Sequence, residues 1–594
     1  MGRPLRPPDI IRRMSTLAAA RSILSAHFGF ADFRPGQADA IRDVLDGKDV
    51  LVVLPTGGGK SLCFQVPALV QGGLTVVLSP LISLMQDQVD ALQRRGIAAT
   101  FLNSTLSPSE VSNRWAQVER GETRLLYLAP ERFEGARTSD RLARVGVRLL
   151  AVDEAHCISE WGHDFRPSYR RVRAIRDAIG APPTIALTAT ATPDVRKDVV
   201  AQLGLRDPQI VVAGFDRPNL TYRVHPSPDQ AAKDEALATA LRDMPSGVAV
   251  VYATTRREVE RVAHALRKRR IKAQPYHAGL EDVERARVQD AFMGESLKAI
   301  VATSAFGMGI DKPNVRLVVH HAMPGTLEAY YQEAGRAGRD GAPANCTLLH
   351  AYPDRFTHEF FIKNAHPSRA DVEAVWKRMR SLAAPDGTVD EDADSIAARM
   401  TKGNVRVVER ALRLFTDAGA LLPGERDGAR AYVRLLATPE RITERFPRAA
   451  SVELGLLRAL WRGTRGRVAD GAVVDLAGFP PGLGGPGEIT RTLDALQGEQ
   501  FLTWERPGGA MRILVDVPDV DWRTLDRRRA AETVKLDAMQ RYAYANGCRR
   551  RVLLAYFGDP DAGRRANCAS CDRCLGEVAP TPSKPSKARK KRVR

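Results

Sequence analysis

The fold is decided by residues 49–61, which read DVLVVLPTGGGKS. An apolar run leads into a turn with three glycines, and an amphipathic stretch begins at Leu62. This order predicts a strand, a phosphate-binding loop and a helix, because glycines let backbone N–H groups surround phosphate oxygens at a helix N-terminus. Lys60 is expected to reach the β- and γ-phosphates of a nucleotide, and Ser61 to ligate Mg²⁺. The predicted phosphate-binding residues are Thr56, Gly57, Gly58, Gly59, Lys60 and Ser61.

An acidic motif follows the next buried-strand pattern of this kind. Residues 147–152 (VRLLAV) are mostly apolar, and residues 153–156 read DEAH. Two adjacent carboxylates at a strand end suit two tasks in phosphoryl transfer. Asp153 is expected to hold Mg²⁺ through its water shell, and Glu154 to orient and deprotonate the attacking water. For His156 we favour a coupling role over proton transfer.

A third motif, YYQEAGRAGRDG at residues 330–341, brings two arginines three positions apart. On a helical turn Arg336 and Arg339 would share a face and reach one phosphate group. An arginine at the γ-phosphate stabilises the charge of the transition state. The alternative is a solvated surface helix, but glycines are poor choices for one. The predicted catalytic residues are Lys60, Asp153, Glu154, Gln332, Arg336 and Arg339.

Together these motifs resemble the superfamily-two helicases, and specifically the RecQ family of DNA helicases, over residues 17–361. Residues 28–37 (FGFADFRPGQ) resemble the family's adenine-reading motif, which implies that Phe30, Arg34 and Gln37 contact the base. Residues 300–313 (IVATSAFGMGIDKP) imply nucleotide and coupling contacts by Gly309 and Asp311. The resemblance implies an α/β fold with two RecA-like parallel-sheet lobes, at 16–212 and 213–365, and ATP held between them.

The segment directly after the acidic motif, CISEWGHDFRPSY at residues 157–169, mixes aromatic and basic side chains. Such a composition suits stacking on exposed bases while pairing with phosphates. In the RecQ family a loop of this kind senses single-stranded DNA and switches on hydrolysis, which implies nucleic-acid contacts by Trp161, His163, Phe165 and Arg166. The alternative is that the aromatic side chains are buried packing residues.

Four of the seven cysteines form a C-x19-C-x2-C-x2-C cluster, Cys548, Cys568, Cys571 and Cys574. Four thiolates suffice for a closed tetrahedral Zn²⁺ site without an open catalytic position. The surrounding residues, 521–577, resemble the helical zinc-binding subdomain of the RecQ family. The other three cysteines are isolated, and we expect them to be buried as small hydrophobic residues.

The chain departs from the usual family order, in which the zinc-binding part follows the second lobe closely. Here residues 366–520 intervene. Residues 396–422 read as two helices and 430–436 as a strand, and residues 451–461, 488–502 and 508–515 repeat helix, helix and strand. This predicts an α+β, winged-helix-like region of one or two units, each with its own wing strand. A plain helical packing module without DNA contact is the alternative.

Charge supports a polyanionic partner, because lysine and arginine outnumber aspartate and glutamate by 89 to 70 and give a net charge of +19. Neither an apolar run of the ~20 residues needed to cross a bilayer nor a signal peptide is evident. We expect disordered basic extensions at 1–15 and 578–594, and a monomer located in the cytoplasm with chromosomal DNA. No further domain is expected after Cys574.

The resemblance implies an ATP- and Mg²⁺-dependent helicase that moves 3′ to 5′ on single-stranded DNA, unwinds forked duplexes and serves DNA repair and recombination. An RNA helicase would use the same ATP chemistry on another substrate. A non-catalytic scaffold or DNA-binding module with a degenerate ATPase is a different class, and the intact catalytic set argues against it.

Overall fold

The computed structural model describes residues 16–577 except 81, 104–105, 134–136, 163, 305, 307–311, 402, 425–429, 447–450, 465, 470, 506–508, 560 and 565–566. The expected extensions at 1–15 and 578–594 lie outside this part. Contacts divide the chain into one unit of Met1–His358 with Ala531–Arg594 and a second unit of Glu359–Ala530. These borders fall inside two helices, near but not at the expected 365/366 and 520/521. The expected domain boundaries stay predictions.

The first lobe is a parallel sheet of seven strands in the order β3-β4-β2-β5-β6-β1-β7. Its central strands are apolar along their whole length because helices cover both faces of a parallel sheet. The strands are Val50–Val53 (β1), Leu74–Leu78 (β2), Ala99–Leu102 (β3), Leu125–Leu128 (β4), Val147–Val152 (β5), Thr184–Thr188 (β6) and Gln209–Val212 (β7). The helices are Gln37–Leu45, Leu62–Gln71, Ile82–Gln93, Pro108–Glu119, Arg137–Val145, Val172–Ala178 and Pro193–Leu203, with short helical turns at Leu24–Phe28, Pro130–Phe133, Ala155–Ile158 and Pro167–Arg171.

The second lobe is a parallel sheet of six strands in the order β10-β11-β9-β12-β13-β8. The strands are Leu220–Pro226 (β8), Val248–Tyr252 (β9), Ala273–Tyr276 (β10), Ala299–Ala302 (β11), Val315–His320 (β12) and Ala344–His350 (β13). The helices are Gln230–Arg242, Arg256–Lys268, Asp282–Met293, Leu327–Ala334 and Asp354–Ala365. The prediction of two parallel α/β lobes is therefore confirmed. Cys63, Cys157 and Cys346 are buried, as expected.

The zinc-binding part comes after the helix Trp522–Tyr544. It contains the helix Arg549–Tyr556 and the short turn Ala562–Arg564. It packs on β8, the edge strand of the second sheet. The main-chain N–H of Asp572 donates to the Tyr222 carbonyl at 3.1 Å. Phe557 stacks on Phe215 with ring centroids 5.0 Å apart. The edge of the sheet is thus covered by the cysteine-rich segment.

In the second unit, one group of elements forms a three-stranded antiparallel sheet in the order β14-β19-β15. Three helices pack on it around Trp376, Phe415 and Val520. The elements are Arg369–Leu382, Thr388–Val389 (β14), Ala393–Ala398, Val405–Asp417, Leu421–Gly424 (β15) and Gly509–Ile513 (β19). Helix, strand, helix, helix, strand, strand is the order of a winged-helix unit.

A second group lies between β15 and β19 in the chain and has its own core around Leu457, Leu493 and Phe501. Its antiparallel sheet has the order β17-β16-β18. Its elements are Arg430–Leu435 (β16), Pro439–Arg445, Val452–Gly463, Arg467–Ala469, Ala472–Asp475 (β17), Leu476–Gly478, Pro481–Leu483, Pro486–Gly498 and Leu502–Glu505 (β18).

The assignment of the two wing strands from sequence was wrong. Residues 430–436 were expected to complete the first group, but β16 pairs with the second sheet, with Val433 opposite Ala472 and Trp504. Residues 508–515 were expected to complete the second group, but β19 pairs with β14 and β15 of the first sheet. The alternation of a strand fixes which face is buried and leaves open which sheet it joins. The second group is therefore nested inside the first.

Candidate nucleotide, nucleic-acid and zinc sites

A cleft of about 760 Å³ between the two lobes gathers most of the predicted nucleotide residues. This volume is within the ordinary range for small-molecule sites. The predicted residues that line it are Phe30, Arg34, Gln37, Thr56, Gly57, Gly59, Lys60, Ser61, Asp153, Glu154, Gln332, Arg336 and Arg339. Gly58 lines a neighbouring cavity behind the loop. Gly309 and Asp311 lie outside the described residues.

The phosphate-binding loop connects β1 to the helix Leu62–Gln71, and glycine is required at three positions. Gly57 and Gly59 have φ of +79° and +75°, values that L side chains rarely adopt. A Cβ atom on Gly59 would lie 2.5 Å from Nε2 of Gln37, and one on Gly58 would lie 2.8 Å from the Pro55 carbonyl oxygen. Gly57 and Gly59 are thus required by their left-handed conformation, and Gly58 by the close approach of the Pro55 main chain.

Two of the three expected adenine-reading residues, Arg34 and Gln37, are bonded to the phosphate-binding loop, and the third, Phe30, has an exposed ring. Nε2 of the buried Gln37 donates to the carbonyls of Gly58 and Gly59, both at 3.0 Å, and Oε1 accepts the N–H of Arg34 at 2.9 Å. The Arg34 guanidinium donates to the Gly57 carbonyl. In this conformation both ends of the Gln37 amide are engaged by protein. Base reading by these residues stays a prediction.

The acidic pair lies at the C-terminal end of β5. Asp153 is buried, and its carbonyl accepts the Tyr169 hydroxyl at 3.1 Å. Burial, and then the charge of Glu154, raise the pKa of Asp153. Asp153 and Ser61 offer a carboxylate and a hydroxyl oxygen to one cleft, which fits the oxygen ligands that Mg²⁺ prefers.

Glu154 has φ of +46°, an uncommon conformation for a non-glycine residue and one that clusters at functional sites. Nδ1 of His156 lies 3.2 Å from the Glu154 carboxylate and 3.0 Å from Oγ1 of Thr188 at the end of β6. His156 therefore links the expected catalytic base to the adjacent strand, an arrangement compatible with the coupling role expected for it.

The two arginines of the third motif are not on a helix, contrary to the reasoning from sequence. The helix Leu327–Ala334 ends before them, and Gly335 and Gly338 carry the chain into a turn in which Gly338 has φ of +53°. Glycines favour such endings. Arg336 and Arg339 line the cleft from this turn, which we name the arginine turn (residues 335–341). Their catalytic roles stay predictions.

Reasoning from sequence missed Arg217, which lies between β7 and β8 in the link that joins the lobes. Its Nη1 donates to the carbonyls of Thr56 at 2.8 Å and Gly335 at 3.0 Å. Its Nη2 donates to those of Ala337 at 2.8 Å and Gly338 at 3.0 Å. The available signal was the sequence FDRPNL at residues 215–220, near the start of the expected second lobe.

In the aromatic segment after DEAH, Trp161 is 41% exposed. Phe165 is half-buried under the Arg170 guanidinium, 5.2 Å from the ring centroid. Arg166 donates to the Pro80 carbonyl at 2.7 Å and pairs with Asp164. His163 lies outside the described residues. Trp161 is thus open to stacking, whereas Phe165 and Arg166 are partly held by protein contacts.

The four clustered cysteines meet in space. One sulfur atom from each of Cys548, Cys568, Cys571 and Cys574 lies within 4.8 Å of all the others. Bonds of ~2.3 Å to a tetrahedral Zn²⁺ fit such spacing. The N–H of Cys568 points at Sγ of Cys574 and the Ser570 hydroxyl at Sγ of Cys568, and such donors suit thiolate ligands. The cluster has the donor set and the spacing expected of a closed, structural zinc site.

Comparison with known proteins agrees with this arrangement. Three family models match in chain order: DEAD/DEAH box helicase at residues 34–199, helicase conserved C-terminal domain at 232–341 and RecQ zinc-binding at 513–575. The ATP-dependent DNA helicase RecQ of Bacillus subtilis is 44% identical over 368 residues, which are 62% of this chain and 62% of that protein. This chain thus spans less than two thirds of the RecQ protein's length.

The probable ATP-dependent DNA helicase RecS of Bacillus subtilis is 42% identical over 350 residues, which are 59% of this chain and 70% of that protein. Among solved structures, the DEAD-box helicase Mss116 bound to single-stranded RNA is 16% identical with a TM-score of 0.49, over 67% of this chain and 85% of that one. In the described part of this chain, no helix has the length and apolar character needed to span a membrane. The order of the matched models and the extent of the curated matches establish that the chain belongs to the RecQ family of helicases.

Proposed function

We propose that the protein is an ATP-dependent DNA helicase that moves 3′ to 5′ on single-stranded DNA and unwinds duplexes in DNA repair and recombination. The observation that carries the proposal is the cleft between the lobes. It joins the phosphate-binding loop and acidic pair of one lobe to the arginine turn of the other. Since hydrolysis needs parts from both lobes, ATP binding and lobe closure are linked.

In this proposal the loop N–H groups and Lys60 hold the triphosphate, while Ser61 and Asp153 hold Mg²⁺, which neutralises phosphate charge when bound. Glu154 accepts a proton from the water that attacks the γ-phosphorus. The bond between the γ-phosphorus and the oxygen that bridges it to the β-phosphorus breaks, yielding ADP and phosphate. Arg336 and Arg339 offset the charge that develops, an effect worth ~10³ to 10⁵ in rate for such arginines.

Coupling to DNA is assigned to the segment that follows Glu154. His156 connects Glu154 to Thr188, and Trp161 lies only seven residues beyond Glu154 with its ring exposed. Stacking of a nucleobase on Trp161 would shift the segment that follows Glu154, the expected general base. Lys535 Nζ donates to the Gly162 carbonyl at 2.9 Å, so the helix Trp522–Tyr544 steadies the same segment.

The region nested in the second unit is proposed to contact duplex DNA. The helix Val405–Asp417 occupies the recognition-helix position of the first winged-helix group and exposes Arg406 and Arg413. Basic side chains on such a helix suit a duplex groove. Unwinding of forked DNA by Arg406→Ala/Arg413→Ala at the rate of the unaltered protein, with equal duplex affinity, would exclude this role.

The first test is steady-state ATP hydrolysis with and without single-stranded DNA, for the unaltered protein and for Glu154→Gln. We expect DNA to raise turnover strongly and the substitution to abolish it. Glu122→Gln is the matched control, because Glu122 is exposed and pairs with Arg120 on the surface. If DNA leaves ATP turnover unchanged, the proposal that hydrolysis is coupled to single-stranded DNA fails.

Polarity and substrate are tested on duplexes with a 3′ or a 5′ single-stranded tail, in matched DNA and RNA versions. The proposal expects strand separation of the 3′-tailed DNA duplex. Preferential separation of the 5′-tailed form would reverse the proposed polarity. Equal or faster separation of the RNA duplex would favour the RNA-helicase alternative.

A further inference from the structure

Arg217 lies outside the nucleotide cleft but bonds to segments that line it from both lobes. Its guanidinium accepts no bond and donates to four main-chain carbonyls, one in the phosphate-binding loop (Thr56) and three in the arginine turn (Gly335, Ala337 and Gly338). The planar fork of arginine suits such a task, whereas lysine presents a single point charge. Charge-assisted bonds of this kind are stronger than neutral ones.

The two segments that Arg217 joins are already in contact. A Cβ atom on Gly335 would lie 3.0 Å from Cβ of Thr56, so the arginine turn approaches the phosphate-binding loop as closely as glycine permits. Arg217 is not among the residues that line the nucleotide cleft. It lines a smaller cavity of about 350 Å³ on the other side of the loop. Any effect of Arg217 on catalysis must therefore pass through the segments that it holds.

The main chain around Arg217 is fixed by the zinc-binding part. Asp216 pairs with Arg550, which also donates to the Leu220 carbonyl at 2.6 Å. The N–H of Phe215 donates to Asp559 at 2.8 Å. Because both sides of Arg217 are anchored, its guanidinium is held ready for the four carbonyls.

We infer that Arg217 is a positioning residue that holds the arginine turn against the phosphate-binding loop, so that Arg336 and Arg339 face the γ-phosphate. The inference rests on the proposed function. The Arg217–Thr56 bond is the one of the four that crosses between the lobes, so it forms in the closed arrangement and is released when the lobes separate. Arg217 thereby favours the arrangement in which ATP is hydrolysed.

The test compares Arg217→Lys and Arg217→Ala in the full-length protein. Four quantities are measured: kcat and KM for DNA-stimulated ATP hydrolysis, the Kd of a fluorescent ADP, and the Kd of that ADP with aluminium fluoride, which mimics the transferring phosphoryl group. Because the variants lose charge-assisted bonds, we expect their kcat to fall below that of the unaltered protein on the order of 10- to 100-fold. Affinity for ADP should stay within about twofold, and the extra affinity given by aluminium fluoride should fall in parallel with kcat.

Asn219→Ala is the matched control. Asn219 Nδ2 donates to the Gly338 and Ala342 carbonyls at 2.8 and 2.9 Å, so it supports the same turn without a bond to the phosphate-binding loop. Asn219→Ala should keep most of the aluminium fluoride effect. A double variant, Arg217→Lys with Arg336→Ala, should lose little more than Arg336→Ala alone, because both changes act through one step.

The outcomes of these measurements separate failure of the inference about Arg217 from failure of the proposed function. Unchanged kcat in Arg217→Lys and Arg217→Ala would overturn the inference, as would equal loss of affinity for ADP with and without aluminium fluoride. If Arg217→Ala unfolds, Arg217→Lys decides, provided that its thermal midpoint matches the unaltered protein. If the unaltered protein hydrolyses no ATP, the proposed function itself has failed. That outcome is distinct from failure of the inference about Arg217, which requires an active unaltered protein.

Discussion

Removing the carboxylate of Asp572 should destabilise the attachment of the zinc-binding part to the second lobe. Asp572 and Arg549 form an ion pair with N–O of 3.0 Å, and both side chains are 1% exposed. Oδ2 of Asp572 also accepts the N–H of Val224, at 2.9 Å, on the edge strand β8. The Asp572→Ala variant therefore leaves the buried Arg549 guanidinium without its carboxylate partner and the Val224 N–H without its acceptor.

The magnitude follows from the cost of an unpaired buried charge. Breaking a buried ion pair by removing one partner costs ~3–5 kcal/mol. Arg549 keeps its bonds to the Tyr542 and Ala543 carbonyls, which places the expected loss at the lower end, about 3 kcal/mol. Asp572→Asn retains an oxygen acceptor and should lose less than Asp572→Ala.

The assay is urea unfolding followed by fluorescence, together with hydrogen exchange at the Val224 amide. Glu577→Gln is the control: Glu577 pairs with Arg223 on the same strand, but the two side chains are 38% and 32% exposed. Such an exposed pair contributes ~0–1 kcal/mol. A loss in Asp572→Ala no larger than in Glu577→Gln, or an unchanged exchange rate at Val224, would refute the reasoning.

Two further predictions concern the cleft and the second lobe. Gly59→Ala should raise the Kd for ATP by at least about tenfold, since it forces a left-handed alanine and displaces Gln37; ATP-binding titration measures this Kd, and unaltered affinity would contradict the steric argument. Burial, partly offset by its bond to the Met323 carbonyl, lowers the pKa of His358. The unfolded state therefore binds more protons between the folded pKa and about 6.5, and stability falls as pH drops through that window. His358→Gln should reduce the loss of thermal midpoint between about pH 7.5 and 5.5, and the exposed His264→Gln should leave it unchanged; equal loss in all three proteins would exclude this account.

The sequence predicted the two lobes because each motif requires particular chemistry at a fixed place in an α/β chain. A lysine after three glycines and an acidic pair after an apolar run both lie where parallel strands end, and the fold brings such ends to one edge of a sheet. The structure accordingly gathers Lys60, Asp153 and Glu154 in one cleft.

What the sequence did not predict depends on partners that have no sequence signature. Arg217 bonds main-chain carbonyls, which every residue possesses, so no pattern of side chains marks its targets. The strands β16 and β19 have the expected alternation but join each other's expected sheets, because pairing is a long-range choice. Arg336 and Arg339 leave the helix because glycines intervene, although their spacing fits a helical turn.

The contacts around the phosphate-binding loop share one physical logic. Four consecutive carbonyls, those of residues 56–59, are bonded by side chains outside the loop: Arg217 holds the first, Arg34 the second and Gln37 the last two. Since the C=O and N–H groups of a trans peptide point to opposite sides, anchoring these carbonyls from outside turns N–H groups toward the side on which we expect the phosphates. The N–H of Gly58 is the exception, because it donates to the Pro55 carbonyl at 2.9 Å. The expected adenine-reading segment and the link between the lobes therefore act on the same four peptides, and we expect a change in either to reach bound phosphates through the backbone.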